Sequence, residues 1–316
     1  MEEDKIKKIK SLRVATGFDC DCRCRYCTQI NSEISKRLDG DGSQLQSLYA
    51  ILNNRQILDD SLSVEIEGGE PLLHPDLIKK IVLLCDQMEE YGISIEYNIV
   101  TNCHKLNTEE GRELILWMKD RGCNFVIAAS FDHAQKNPRY LTDDTYEFLK
   151  NCGARSVFCV YVIENKLLLD RAKKNIDFIN NKGFPVSIYW NFLKYDELAD
   201  SDIAEKYKKL ICDTNNDACM QRFCGSPSEC GWVGISPTGK LYGCHEANFG
   251  IADLDAGRKM DKEKCSTCEM NDVCIQCIVR KAIYGDSLCS YVKANYDLWK
   301  EGAKNRWVNK QNRNKR

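Results

Sequence analysis

Residues 20–27 read Cys20-Asp21-Cys22-Arg23-Cys24-Arg25-Tyr26-Cys27, and the reading of this loop decides the rest. Inside it lies a C-x3-C-x2-C frame made by Cys20, Cys24 and Cys27. Three thiolates converging from one turn can hold three corners of an iron–sulfur cube and leave one iron open. Cys22 interrupts the frame and is read as a packing residue. It could also supply the fourth ligand of a structural zinc site, so spacing alone leaves both metals open.

Outward from the loop, the chain alternates between two textures. Short β-branched runs predict strands over Leu12–Phe18, Leu62–Glu67, Ser94–Thr101, Phe125–Phe131, Ser156–Ile163 and Val186–Phe192. Amphipathic stretches between them predict helices over Gln44–Asn53, Pro75–Tyr91, Thr108–Arg121, Thr142–Asn151, Lys166–Asn181 and Asp196–Cys212. Leu77, Ile78, Ile81, Val82, Leu84 and Cys85 recur at helical spacing. Gly92, Gly122, Gly153 and Gly183 follow helix candidates, where a left-handed cap is expected.

Six strand–helix units in succession predict an α/β fold: a parallel sheet covered by helices, rolled by right-handed crossovers into a partial (β/α)6 barrel. The loops after the strands then share one rim. Those loops are the cysteine run, Gly68-Gly69-Glu70-Pro71, Thr101-Asn102 and Ser130-Phe131-Asp132. Two glycines directly after a strand permit close backbone approach, although Gly-Gly and Glu-Pro alone would read as an ordinary turn.

The chain has 316 residues, 43% of them hydrophobic, with a formal net charge of −2. That allows one large and one small domain and gives no argument for nucleic acid as a partner. No apolar run is long enough to span a membrane, and Met1–Lys10 lacks the apolar core of a signal peptide. A cytoplasmic location is expected. Nineteen cysteines in a reducing compartment then point to metal or redox chemistry.

Ten of the nineteen lie between residues 212 and 289. Cys224, Cys230 and Cys244 form one group, closed by Gly239-x4-Cys244; Cys265, Cys268, Cys274 and Cys277 form a second, with Cys289 trailing. Helical periodicity fades after about residue 215. The expected domains are therefore 1–214 as the partial barrel, 215–292 as a small cysteine-rich domain, and 293–316 as a basic helix or tail. The last sixteen residues carry six basic side chains against one acidic. Zinc competes for the second group, but paired C-x2-C motifs in zinc ribbons are spaced more widely.

The cysteine loop, with Tyr26 before its last cysteine and Gly68-Gly69-Glu70-Pro71 about forty residues on, resembles the radical S-adenosylmethionine (radical SAM) superfamily. The resemblance implies a 4Fe–4S cluster on Cys20, Cys24 and Cys27 whose open iron binds SAM, cleaved by one electron to a 5′-deoxyadenosyl radical. It implies that Gly68, Gly69, Glu70 and Pro71 hold the methionyl amine, and that Tyr26, Asn102, Ser130 and Arg139 lie at the cofactor. The later cysteines resemble the SPASM extension of this superfamily, whose members carry two auxiliary 4Fe–4S clusters. One would use Cys224, Cys230, Cys244 and Cys277, and the other Cys265, Cys268, Cys274 and Cys289. Only Ile275 and Gln276 separate the last two cysteines of the C-x2-C-x5-C group, one residue fewer than the family's usual spacing.

Enzymes of this subgroup mostly mature ribosomally made peptides or proteins by cross-linking, epimerisation or oxidation. The expected partners are a peptide substrate, a separate leader-binding protein, since only about ten residues precede the first strand, and an electron donor such as flavodoxin or ferredoxin. Sulfatase maturases similar to this chain place an aspartate after the third cysteine of the first auxiliary group. Here His245 and Glu246 follow Cys244, which argues against that subgroup and makes these two the candidate acid–base residues. The alternatives are radical oxidation or epimerisation of a small molecule such as a sugar or aminoglycoside, with Cys219 as hydrogen donor, and a non-catalytic zinc-binding interaction protein.

Overall fold

The computed structural model describes residues 8–24, 42–131, 141–163, 166–191, 231–242 and Thr267. Eight strands are β1 (Ile9–Ala15), β2 (Leu58–Glu67), β3 (Ser94–Thr101), β4 (Phe125–Phe131), β5 (Arg155–Ile163), β6 (Val186–Asn191), β7 (Trp232–Ile235) and β8 (Leu241–Tyr242). Five α-helices lie among them: α1 (Ser43–Asn53), α2 (Pro75–Asp86), α3 (Glu109–Asp120), α4 (Asp143–Asn151) and α5 (Lys166–Asn181). The expected helix Asp196–Cys212 lies outside the described residues.

The strand order is β6-β5-β4-β3-β2-β1-β7-β8. β1 pairs parallel with β2, β2 with β3, β3 with β4, and β1 with β7, while β8 returns antiparallel to β7. The order is linear, so the described sheet keeps two edges. It is the unclosed α/β sheet expected from the strand–helix series.

Alternation across the pleat builds the core on one side of the sheet. Leu12, Val14, Leu62, Val64, Ile66, Ile95, Tyr97, Ile99 and Ile127 are buried there, together with Ile78, Ile81, Val82 and Cys85 from α2 and Leu114, Ile115 and Met118 from α3. Tyr97 marks that side as the helix side. Its hydroxyl donates to Val82 O at 3.1 Å and Asp86 Oδ1 at 2.6 Å, both on α2.

Local chemistry explains where the helices begin and stop. Thr108 and Thr142 accept from Gly111 N and Thr145 N as N-caps of α3 and α4. Acidic residues fill both first turns, where the helix dipole favours them. Pro75 opens α2 at the one helical position that needs no amide hydrogen. Helix α2 ends at Asp86, short of the expected Tyr91, and the chain tightens into a 3-10 turn over Glu89–Tyr91 before Gly92 at φ 77°.

The chain divides into two compact units. One draws on Met1–Phe131, Gln135–Phe158 and Gly231–Phe249, the other on Asp132–Ala134, Cys159–Cys230 and Gly250–Arg316. Strands β7 and β8 come from the stretch that the sequence assigns to the cysteine-rich domain. They continue the sheet past β1, with Ser11–Val14 in register with Trp232–Ile235. Among the described residues no helix is long and apolar enough to cross a membrane.

Candidate cofactor site

The carboxyl ends of β1, β2 and β3 bring three sequence motifs together. β1 stops at Ala15, but its backbone goes on pairing with the loop after β2. Thr16 N donates to Glu67 O at 2.8 Å, Gly69 N to Gly17 O at 2.9 Å, and Glu70 N to Asp19 O at 2.9 Å. The Gly-Gly-Glu loop is therefore laminated onto the segment that delivers Cys20.

Only glycine permits this approach. A Cβ on Gly68, which sits at φ 148°, would stand 2.5 Å from Gly17 O; one on Gly69 would stand 2.0 Å from Asp19 O. Both contacts are with backbone, which cannot swing away. The two glycines are close-packing residues here and not a generic turn.

Glu70 is 1% exposed. Its Oε1 accepts from Thr101 Oγ1 at 2.6 Å and Leu72 N at 3.0 Å, and its Oε2 accepts from Asn102 N at 2.7 Å. One carboxylate thus ties the loop after β2 to the end of β3. Burial pushes its pKa up to about 7 against the pull of these three donors, with Asp21 adding to the rise. Pro71 follows as the first residue of a 3-10 turn through Leu73.

Asn102 is the next link. Its Nδ2 donates to Asp21 Oδ1 at 2.7 Å and to Cys22 Sγ at 3.2 Å, while its Oδ1 accepts from His104 N at 2.9 Å. His104 Nδ1 lies 3.4 Å from Cys22 Sγ and 3.6 Å from Asp21 Oδ2. Between Asn102 and His104, Cys103 adopts φ 62°, a left-handed conformation uncommon for a residue with a side chain. Farther along the cysteine segment, His74 Nε2 pairs with Asp19 Oδ1 at 2.7 Å.

Cys20 and Cys24 are half-buried, whereas Cys22 is 4% exposed. The Cys22 amide donates to Cys20 Sγ at 3.3 Å. Hydrogen bonding from the Cys22 side chain, helped by that amide, lowers the Cys20 pKa against the effect of burial. Hydrogen bonds to Cys20 and Cys24, with burial, push Cys22 the other way. Of the pair, Cys20 is thus the thiol whose ionised form its surroundings favour. The donor atoms of Cys20, Asp21 and Cys22 lie within 4.8 Å of one another.

These features fit the implied groups. A thiolate-disposed Cys20 suits an iron–sulfur corner, and a glycine cradle beside a buried carboxylate suits an amino-acid moiety. Ser130 sits near the end of β4, alternating with Ala129, which pairs with Thr101; it therefore shares the sheet side opposite the helices. Tyr26, Cys27, Arg139, His245, Glu246 and the cysteines Cys224, Cys230, Cys244, Cys265, Cys268, Cys274, Cys277 and Cys289 lie outside the described residues.

Sequence reasoning missed Asp21 and His104. The available signal was position: Asp21 lies between two cysteines, and His104, one of four histidines in the chain, follows Asn102 by two residues. It also missed the polar side of the sheet. There Arg13 on β1 bridges Glu65 at 3.0 Å and Glu67 at 3.7 Å on β2. Burial, with Glu65 beside it, raises Glu67 to about 7 despite Arg13. On β3, in register with Glu65, the Oδ1 of Asn98 is buried with no hydrogen-bond partner among the described residues.

No protein-family model matches the chain. A stretch of 103 residues is 31% identical to the uncharacterized protein MJ0907 of Methanocaldococcus jannaschii, covering 32% of this chain and 33% of that protein. The structure of native anSMEcpe with bound AdoMet is similar at a TM-score of 0.66 and 16% identity, over 96% of this chain and 99% of that one. The form with AdoMet and a Cp18Cys peptide matches at 0.63 and 15%, over 96% and 99%. At these identities the likeness is one of fold: the chain shares the architecture of native anSMEcpe over nearly its whole length.

Proposed function

We propose that the chain is a radical SAM enzyme that modifies a ribosomally made peptide or protein by hydrogen abstraction. The observation that carries this reading is the lamination of Gly68–Glu70 onto residues 17–19, which sets a buried carboxylate and a glycine cradle beside Cys20. Fold likeness to a protein solved with AdoMet and a peptide supports it. When bound, the cluster and SAM supply a 5′-deoxyadenosyl radical for attack on a substrate C–H bond.

The chain's own residues do the positioning. Cys20, Cys24 and Cys27 hold the cluster. The Gly68–Pro71 loop receives the methionyl end of SAM, with Glu70 fixing the loop's shape through its three donors. Ser130 lies near the cofactor, and Arg139 pairs with its carboxylate or ribose. The polar side of the sheet, with Glu67 and the unpartnered Asn98 Oδ1, offers acceptors to a peptide. His245 and Glu246 are the candidate proton-transfer groups. Cys224, Cys230, Cys244 and Cys277, and separately Cys265, Cys268, Cys274 and Cys289, hold two auxiliary clusters in a domain spanning 215–292. A flavodoxin or ferredoxin delivers the electron in the cytoplasm, and a separate protein presents the leader.

Anaerobic reconstitution with iron and sulfide, followed by metal analysis, is the first test. About twelve irons per chain are expected for three 4Fe–4S clusters. Reductant-dependent 5′-deoxyadenosine is the second. Zinc in place of iron, or no deoxyadenosine from a fully loaded sample, overturns the proposal. Co-expression with small peptide genes from the same locus, read by mass spectrometry, tests the substrate class. A mass change confined to a sugar or other small molecule would favour that alternative.

A further inference from the structure

Four thiols within eight residues pose a problem for an enzyme of the proposed kind, on which this inference rests. A 4Fe–4S cluster accepts four cysteine thiolates. A fourth thiol carried on the same loop competes for the open iron at a high effective concentration, and soft iron favours sulfur over an amine and a carboxylate. Cys22 is that fourth thiol, and its donor atom lies within 4.8 Å of that of Cys20.

The structure shows what occupies Cys22. Cys22 is buried beside the Cys20 and Cys24 side chains, and its sulfur takes a hydrogen bond from Asn102 Nδ2 at 3.2 Å, with His104 Nδ1 at 3.4 Å. Both partners are themselves held. Asp21 Oδ1 receives the same Asn102 amide, Asp21 Oδ2 faces His104, and the Asn102 carbonyl accepts from His104 N. Asn102 is anchored in turn through its backbone to Glu70. The side chain of Asn102 is spent on Asp21, Cys22 and His104 and is not offered to SAM. We propose that Asn102 and His104, braced by Asp21, hold the Cys22 thiol off the cluster's open iron and so keep that iron available to SAM. Asn102 is then a positioning residue and not a cofactor ligand.

The test uses the full chain, reconstituted and reduced, with two readouts besides turnover. One is the change in the electron paramagnetic resonance spectrum on adding SAM; the other is SAM affinity by equilibrium dialysis. Asn102→Ala keeps the backbone bond to Glu70 but frees Cys22. A loss of about tenfold or more in SAM affinity, with a diminished spectral change, is expected. Cys22→Ser is expected to retain full iron and bind SAM like the native chain. The decisive sample is the double variant Asn102→Ala/Cys22→Ser, in which both readouts should recover. His104→Ala, with and without Cys22→Ser, repeats the experiment if Asn102→Ala folds poorly. No recovery in either double variant overturns the inference, as does a loss of about four irons in Cys22→Ser, which would make Cys22 a ligand. A native chain that loads iron but shows no SAM-dependent change sinks the proposed function itself, a distinct result.

Discussion

The two sides of the sheet differ more than its individual strands do. On the helix side Leu12, Val64, Ile66 and Ile99 are fully buried among apolar partners. On the other, Arg13, Glu65 and Glu67 are also largely buried, yet they are ionisable and paired across β1 and β2. Burying an apolar side chain contributes roughly 1.5–3 kcal/mol, whereas a buried ion pair gives little net stability because desolvation offsets attraction. One side therefore holds the fold together, while the other keeps polar groups at positions where stability alone would select hydrophobes. That polar side leads to the strand ends where the Glu70 loop pairs with the segment before Cys20.

The contrast can be broken by substitution. Arg13→Met leaves two buried carboxylates without their cation and should cost about 3–5 kcal/mol, read as a lowered midpoint in urea at pH 7.5. Its cost should shrink at low pH as Glu67 takes up its proton. A loss as large at pH 4 as at pH 7.5 would mean that Arg13 acts by packing alone.

Glu67 sharpens the same contrast through pH. Its folded pKa of about 7 lies above the ordinary 4.5, so the folded state binds the proton more tightly. The associated stability is fully present below pH 4.5 and is lost as pH rises through 7. The raised Glu70 acts in the same direction. Glu67→Gln should therefore flatten the fall in stability between pH 4.5 and 7.5 by a few kcal/mol, leaving the part due to Glu70. An unchanged slope in thermal melts would show that Glu67 titrates normally.

On the apolar side, Tyr97→Phe removes the hydroxyl that donates to Val82 O and Asp86 Oδ1 on α2. Because Asp86 is the acceptor, the expected loss is about 1.5–3 kcal/mol. A smaller effect would mean that Arg121, which also pairs with Asp86 at 2.7 Å, satisfies it alone. The smallest effect is expected at the opposite rim. Lys8 and Asp60 pair in the open at 3.3 Å, so Lys8→Ala should change stability by less than ~1 kcal/mol.

Much of this was legible in the residues. β3 and β4 begin and end where β-branched alternation places them, at Ser94–Thr101 and Phe125–Phe131. The caps after α3 and α4 followed from glycine: Gly122 and Gly153 have φ of 73° and 82°. Strands β7 and β8 were not legible. Four and two residues carry too little periodicity, and β7 earns its place only by pairing with β1, more than two hundred residues away. Asp21 and His104 escaped for a similar reason, since neither is distinctive until Asn102 joins them.

By itself the sequence determined the strand–helix order, the C-x3-C-x2-C frame and the glycine pair, because these depend on local periodicity and on residue types with narrow chemical uses. Only the tertiary structure decided what those residues face. The pairing of residues 16–19 with 67–70 shows why both glycines are required, and the crossing of β3 beside β2 closes Glu70 onto Thr101 and Asn102. Cys22 shows the division in one side chain. Its position in the chain left it open as a packing residue or a fourth zinc ligand, and only the fold brings Asn102 and His104, some eighty residues away, onto its buried sulfur. Contacts over such separations are set by how strands stack in the sheet, which no local pattern records.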